Sequence, residues 1–251
     1  MDLELADHTY IVTGGTRGLG RATAEVLVAE GARVVISSRS QQAVDDTVAA
    51  LGSAATGLVA DNADVGTPAR LVAAARDEFG RLDGALISVG GPPKGPIASA
   101  TDDEWHAAFD SVFLGALRLA TTVADALDDG GSIAFVLSSS VKVPITDLGI
   151  SNGLRPGLAM AAKTLADELG PRGIRVNGLM PGPIDTDRAR ELDASSGDPA
   201  EAKAKKLASV PLGRYGEPEE FGRAAAFLLS PAAGFISGIM LPVDGGMLRA
   251  L

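Results

Sequence analysis

The sequence predicts an α/β fold: a doubly wound parallel sheet of about seven strands with helices on both faces, a three-layer sandwich. Three observations predict it. Short apolar runs alternate with helix-length segments almost to the C-terminus, and such alternation implies right-handed crossovers and a parallel sheet. Several runs are continuous Val/Ile/Leu stretches, as in strands buried on both faces. The first run then breaks into Thr13-Gly14-Gly15-Thr16-Arg17-Gly18-Leu19-Gly20 before a helical pattern begins, the layout of a nucleotide-binding βα turn.

The elements follow in order. Residues 8–13, with Tyr10-Ile11-Val12 at their centre, form the first strand, and residues 21–30 a helix that Gly31 ends in a C-cap position. Strands are expected at 33–37, 57–60 and 84–89. Thr67-Pro68 puts a capping hydroxyl and a first-turn proline before a helix over 69–79. A fifth strand covers 132–138 and ends on Ser138. Pro156 biases Arg155 away from the helical region and removes an N–H, so the next helix is expected to start near it. Strands at 174–180 and 239–243 complete the sheet. The polar segment 187–218, with a helix across 199–208, breaks the rhythm and reads as a substrate lid.

At 251 residues the chain is read as a single domain, 1–251, with that lid inserted, and is long enough to bury a core without staples. It has no Cys, which excludes disulfides and thiol catalysis. The start, Met1-Asp2-Leu3-Glu4-Leu5, has neither a basic region nor an apolar core, so no secretory signal is expected. The apolar stretch 224–243 is broken by Ser230, Pro231, Gly234, Gly238 and Pro242 and does not read as a membrane span. A net charge of −10 argues against nucleic acid as a partner. A cytoplasmic protein that binds neither membrane nor nucleic acid is the expectation.

The glycines of the first turn let the backbone bend sharply and approach a pyrophosphate, while the helix behind offers free N–H groups and its positive dipole end. This is the Rossmann-type arrangement. Gly14, Gly18 and Gly20 carry it, with Thr16, Arg17 and Leu19 between them. Sites for NAD place an acid about 20 residues further on, and sites for NADP replace it with a cation. Here Arg39 stands 19 residues past Gly20, in Ser37-Ser38-Arg39 without an acid, and Arg17 adds a second cation. NADP(H) is therefore expected over NAD(H).

These residues resemble the short-chain dehydrogenase/reductase family, whose T-G-x-x-x-G-x-G pattern matches Thr13 to Gly20. The resemblance runs nearly end to end. Asp64-Val65 matches the pair that holds the adenine, and Ile87-Ser88-Val89-Gly90 stands where the family has the turn beside the nicotinamide, which places Ser88 and Gly90 at the cofactor. Asn177 and the Pro181-Gly182-Pro183-Ile184-Asp185-Thr186 run match the P-G-x-x-x-T turn, where the Ile184 backbone and the Thr186 hydroxyl would hold the carboxamide. Pro211-Leu212-Gly213-Arg214 and Val243-Asp244-Gly245-Gly246 are also typical, and make 3-oxoacyl-acyl-carrier-protein reductases the most similar well-known branch. The stretch 239–246 resembles the segment through which family members assemble, which implies a homotetramer or homodimer.

The resemblance also defines what is missing. Family members transfer a hydride to a carbonyl while a Tyr gives the proton, a Lys four residues later lowers the Tyr pKa, and a Ser polarises the carbonyl. Ser138 matches the serine, but Ser151 stands at the Tyr position, thirteen residues on, and Arg155 at the Lys position. Val112 stands where the family has a relay Asn. An aliphatic hydroxyl is far less acidic than a phenol, and an Arg stays protonated. Arg155 keeps the capacity to hold the nicotinamide ribose. The chain thus resembles a sub-branch without Tyr-x-x-x-Lys. Two functions are compatible with it. One is an NADP(H)-dependent reductase of a small carbonyl or acyl thioester, with Ser138, Ser151 and Arg155 in an altered site. The other is a nucleotide-binding, non-catalytic homologue acting as a partner subunit or NADPH sensor. Lys142 is the nearby alternative proton donor, and Lys203, Lys205 and Lys206 are candidate contacts for an acidic carrier.

Overall fold

The computed structural model describes residues 2–194 and 199–250. Seven strands, β1 (Thr9–Thr13), β2 (Arg33–Ser38), β3 (Ala55–Val59), β4 (Gly84–Ile87), β5 (Ser132–Val136), β6 (Arg175–Pro181) and β7 (Met240–Val243), form one sheet in the order 3-2-1-4-5-6-7. Every pairing is parallel. The strand order reverses between β1 and β4, so a crevice opens at their C-terminal ends, where α/β sheets place ligands. The helices are α1 (Gly18–Ala29), α2 (Gln41–Leu51), α3 (Thr67–Phe79), α4 (Asp102–Ala108), α5 (Gly115–Ala126), α6 (Gly149–Leu169), α7 (Asp187–Ala194), α8 (Pro199–Ala208) and α9 (Pro218–Leu229).

The strands' two-residue period splits their side chains between two cores. Ile11, Val35, Ala85, Ile133 and Phe135 face α3, α5 and α6. Tyr10, Val12, Val34, Ile36 and Ala134 face α1 and α9. The expected doubly wound sheet is therefore present, and strand edges differ from the expected ones by one to two residues. β5 ends at Val136, so Ser138 lies two residues beyond it.

Two local expectations are corrected. Thr67 is not the cap of α3: Gly66 is, and the Thr67 hydroxyl donates to the Asp61 carbonyl at 2.7 Å. Nor does Pro156 start a helix, because α6 is already running from Gly149 and carries Pro156 in its interior. Tertiary contacts outweigh the roughly 3 kcal/mol that an interior proline costs. The Asn152 side chain locks the preceding turn, accepting from the Ile145 N–H at 3.0 Å and donating to the Ile145 carbonyl at 2.8 Å. Gly149 and Gly153 admit Ile97 and Trp105 so closely that a Cβ would sit 2.6 Å from each.

Between α4 and α5 the chain makes a π-helical turn, Phe109–Leu114, which includes Val112. By length and composition alone 102–126 suffices to cross a membrane, but Ala116, Leu119, Ala120 and Val123 are spent on the sheet core.

Candidate active site at the strand ends

The glycine turn closes on itself. Gly14 and Gly18 have φ of +58° and +54°, and a methyl on Gly20 would strike the Gly14 carbonyl, so only glycine fits there. The turn leads into α1, whose N-cap, Arg17, makes no side-chain cap and whose first turn has no acid. Ser40 caps α2 at 3.3 Å and Thr101 with Glu104 forms a capping box on α4, whereas α1, like α3 and α6, starts without a side-chain cap. The first N–H groups of α1 therefore point into the crevice without a side-chain acceptor, as an anion site requires.

The flanking positions are arranged around this turn. Thr13 and Ser88 tie the ends of β1 and β4 together, the Thr13 hydroxyl donating to the Ser88 carbonyl and accepting its N–H, both at 2.9 Å. Arg39, just past β2, is exposed. Arg17 is also exposed and lies 3.7 Å from Glu191 of α7, a surface pair that a phosphate can displace. Asp64 is exposed, one carboxylate oxygen accepting the Gly66 N–H at 3.0 Å. Val65 beside it leaves 71% of its surface in solvent, an apolar side chain unspent by the fold. Thr16 and Leu19 are half-buried and Gly90 is exposed.

Beyond β6 the Pro181–Thr186 turn is rigid. Gly182 passes Asp244 so closely that a Cβ would lie 2.6 Å from its Cα. Ile184 is buried and bridges Gly216. A Cβ on Gly18 would meet the Thr186 side chain at 3.6 Å, and the Thr186 hydroxyl accepts the Ala189 N–H at 3.2 Å, capping α7. The polar segment 187–218, expected as a lid, thus starts near the glycine turn. Its expected helix is α8, and residues 195–198 lie outside the described residues. Tyr215 and Asp193 fasten it: the phenol donates to Asp193 at 2.9 Å, and Lys206 of α8 pairs with the same carboxylate. Burial raises the Asp193 pKa, but Lys206 and Tyr215 outweigh it, so the net shift is downward.

The remaining groups meet at the ends of β4 and β5. Ser138 is half-buried and accepts the Ser140 N–H at 3.1 Å. Ser140 and Ser151 are buried, their hydroxyl oxygens 3.3 Å apart. Arg155, one turn beyond Ser151 on α6, is only 4% exposed. Its Nη1 donates to the Val136 carbonyl at 2.7 Å and its Nη2 to the Val89 carbonyl at 3.4 Å, while Nε has no partner. Burial pushes its pKa down to about 10. Lys142 is exposed on the loop after β5. A cavity of about 330 Å³ lies between Gly90–Pro93 and the α4 region, where Asp103, Glu104, Ala107, Ala108, Ser111 and Val112 line it.

The sequence thus brought Ser138, Ser151 and Arg155 to one place, as the structure does. It did not disclose Ser140, whose signal was only the Ser138-Ser139-Ser140 run, nor the carbonyls of Val89 and Val136, which leave no sequence signal.

Comparisons with known proteins agree with this geometry. A family model described as Enoyl-(Acyl carrier protein) reductase matches residues 14–248. The 3-oxoacyl-[acyl-carrier-protein] reductase of Salmonella typhimurium is 34% identical over 94% of this chain and 96% of its own. The 2,5-dichloro-2,5-cyclohexadiene-1,4-diol dehydrogenase of Sphingobium indicum is 35% identical over 97% and 98%. A crystal structure of a short-chain dehydrogenase/reductase from Brucella melitensis, described as a glucose/ribitol dehydrogenase, superposes with a TM-score of 0.92 at 29% identity, covering all of both chains. With the glycine turn, the sheet order and these matches together, the chain belongs to the short-chain dehydrogenase/reductase family of oxidoreductases.

Proposed function

We propose that the protein is an NADP(H)-dependent reductase of a small-molecule carbonyl or acyl thioester, working through an atypical active site. The observation that carries the reading is the uncapped start of α1 above Gly14, Gly18 and Gly20, on the same strand-end crevice as Ser138 and Arg155. A bound nicotinamide dinucleotide supplies the hydride. The N–H groups of α1 hold its pyrophosphate, Arg39 and Arg17 its 2′-phosphate, Asp64 and Val65 its adenine, and Ser88, Gly90, Arg155 and the Pro181, Gly182, Ile184 and Thr186 turn its nicotinamide half. Ser138 donates to the carbonyl oxygen and polarises it, with Ser151 lining the same pocket through Ser140. The names of the two relatives span a 3-oxoacyl carrier-protein substrate and a cyclohexadiene diol, and the segment 187–218 is the lid that sets the choice here. Phe235 and Ile239, exposed apolar side chains beside β7, support assembly as a homodimer or homotetramer. The same reading makes the chain a single cytoplasmic domain that binds neither nucleic acid nor membrane.

A second reading, a non-catalytic homologue that supports a partner or senses NADPH, is favoured by Ser151 and Arg155 where family members carry Tyr and Lys. The test is NADPH oxidation by purified protein with ketones, diketones and 3-oxoacyl thioesters. Turnover that disappears in Ser138→Ala supports the reductase; NADPH binding with no carbonyl consumed selects the second reading.

A further inference from the structure

We infer that Glu191 of α7 tempers the chain's preference for NADP(H). Its carboxylate holds Arg17 until the 2′-phosphate of the dinucleotide takes that guanidinium over, whereas NAD(H) leaves the pair intact. The inference rests on the NADP(H) reading above and deepens it by adding a residue that sets the degree of discrimination.

The contact is built by the backbone on both sides. Arg17 is the extended N-cap of α1 and its side chain is exposed. α7 begins beside the same turn. The Thr186 hydroxyl accepts the Ala189 N–H, the Thr186 carbonyl accepts the Arg190 N–H at 3.0 Å, and a Cβ on Gly18 would meet Thr186 at 3.6 Å. Glu191 therefore stands little more than one helical turn from the glycines. Its Oε1 lies 3.7 Å from Arg17 Nη1, and among the described residues no other carboxylate comes within 4 Å of Arg17.

The pair is made to be exchanged. At 3.7 Å it is longer than a hydrogen bond, and both partners are solvated, so it contributes little. Glu191 also has a second partner: its Oε2 lies 3.6 Å from Arg188 Nη1, one turn earlier on α7. The carboxylate is therefore not left alone when Arg17 turns away. Arg190 does not compete for it, being 3.2 Å from Asp185 and 3.8 Å from Asp187. Nor does the far end of α7 depend on this contact, because Asp193 is held there by Tyr215 and Lys206.

Arg17 gains by the exchange. A phosphate monoester carries close to two negative charges and three acceptor oxygens, and a guanidinium forks onto it with charge-assisted bonds. Breaking the Glu191 contact is then a cost that falls on NADP(H) alone, since NAD(H) presents a hydroxyl in place of the phosphate. By reciprocity the 2′-phosphate weakens the hold of the glycine turn on α7 by the same factor. The two dinucleotides thus leave α7 differently held.

The test is a double-mutant cycle on binding, with the full chain, NADPH and NADH, followed by the fluorescence of the reduced nicotinamide. At low ionic strength Glu191→Gln should tighten NADPH about two- to fivefold, the worth of an exposed ion pair, and leave NADH unchanged. That gain should vanish in Arg17→Ala, and also at about 1 M salt, where the screening length is about 3 Å. Both side chains are exposed, so melting temperatures without cofactor should stay those of the wild type. No gain with NADPH, an equal gain with NADH, or a gain that survives Arg17→Ala or high salt overturns the inference and leaves the reductase reading standing. Wild-type protein that binds NADH as tightly as NADPH overturns the NADP(H) assignment on which the inference rests.

Discussion

Tyr215 donates its phenolic hydrogen to Asp193 across 2.9 Å and so joins the turn before α9 to α7. Both side chains are nearly buried, and Lys206 of α8 completes the cluster. Tyr215→Phe removes one bond and leaves the Asp193–Lys206 pair. A stability loss of about 1–2 kcal/mol is expected, with KM raised more than kcat falls, read from thermal melting and steady-state kinetics together.

The same carboxylate makes the anchoring of α7 acid-sensitive. Asp193 has a folded pKa below its unfolded value of about 3.9. Its contribution is therefore complete above that value and is lost as pH falls through the depressed folded pKa. Cleavage of the 187–218 segment by an acid-active protease should accelerate below about pH 4. In Asp193→Asn that pH dependence should flatten.

Gly20→Ala places a methyl against the Gly14 carbonyl. The turn has to open, and NADPH binding, followed by the fluorescence of the reduced nicotinamide, should weaken by about tenfold or more, since strain of this kind costs about 1–3 kcal/mol. The glycine pattern was legible in the sequence because backbone crowding leaves one residue type as a solution. The parallel sheet was legible for a similar reason, since doubly buried strands have only apolar positions to offer, whereas its strand order came only with the structure. Pro156 misled because its cost is local and visible, whereas the bonds from Asn152 to Ile145 and the close approach of Trp105 to Gly153 come from residues that the sequence does not show to be neighbours. The partners of Arg155 were hidden for a deeper reason, since they are backbone carbonyls and every residue has one.

Arg39→Asp should move cofactor preference from NADPH towards NADH. Removing a charge-assisted partner of the 2′-phosphate and adding repulsion should change the ratio of kcat/KM values about 10- to 100-fold. Because Arg39 is exposed and past the end of β2, melting temperature without cofactor should not change, which separates a binding effect from a folding one.

Pro156→Ala returns an N–H to the middle of α6, opposite the Asn152 carbonyl one turn earlier. Unfolding free energy should rise by about 1–3 kcal/mol, measured by denaturant titration. A fall would mean that the rigid proline ring itself fixes the backbone that places Arg155.

The unfinished start of α1 ties the chain's persistence to its surroundings. A dinucleotide bound at that start would stabilise the folded state in proportion to its affinity and concentration. At a hundred times the dissociation constant, such a ligand adds about 2.7 kcal/mol to the folded state, comparable with the largest single substitutions considered above. In a cell the amount of this protein that escapes proteolysis would then rise and fall with the dinucleotide pool, so its abundance would record metabolic state before any turnover takes place.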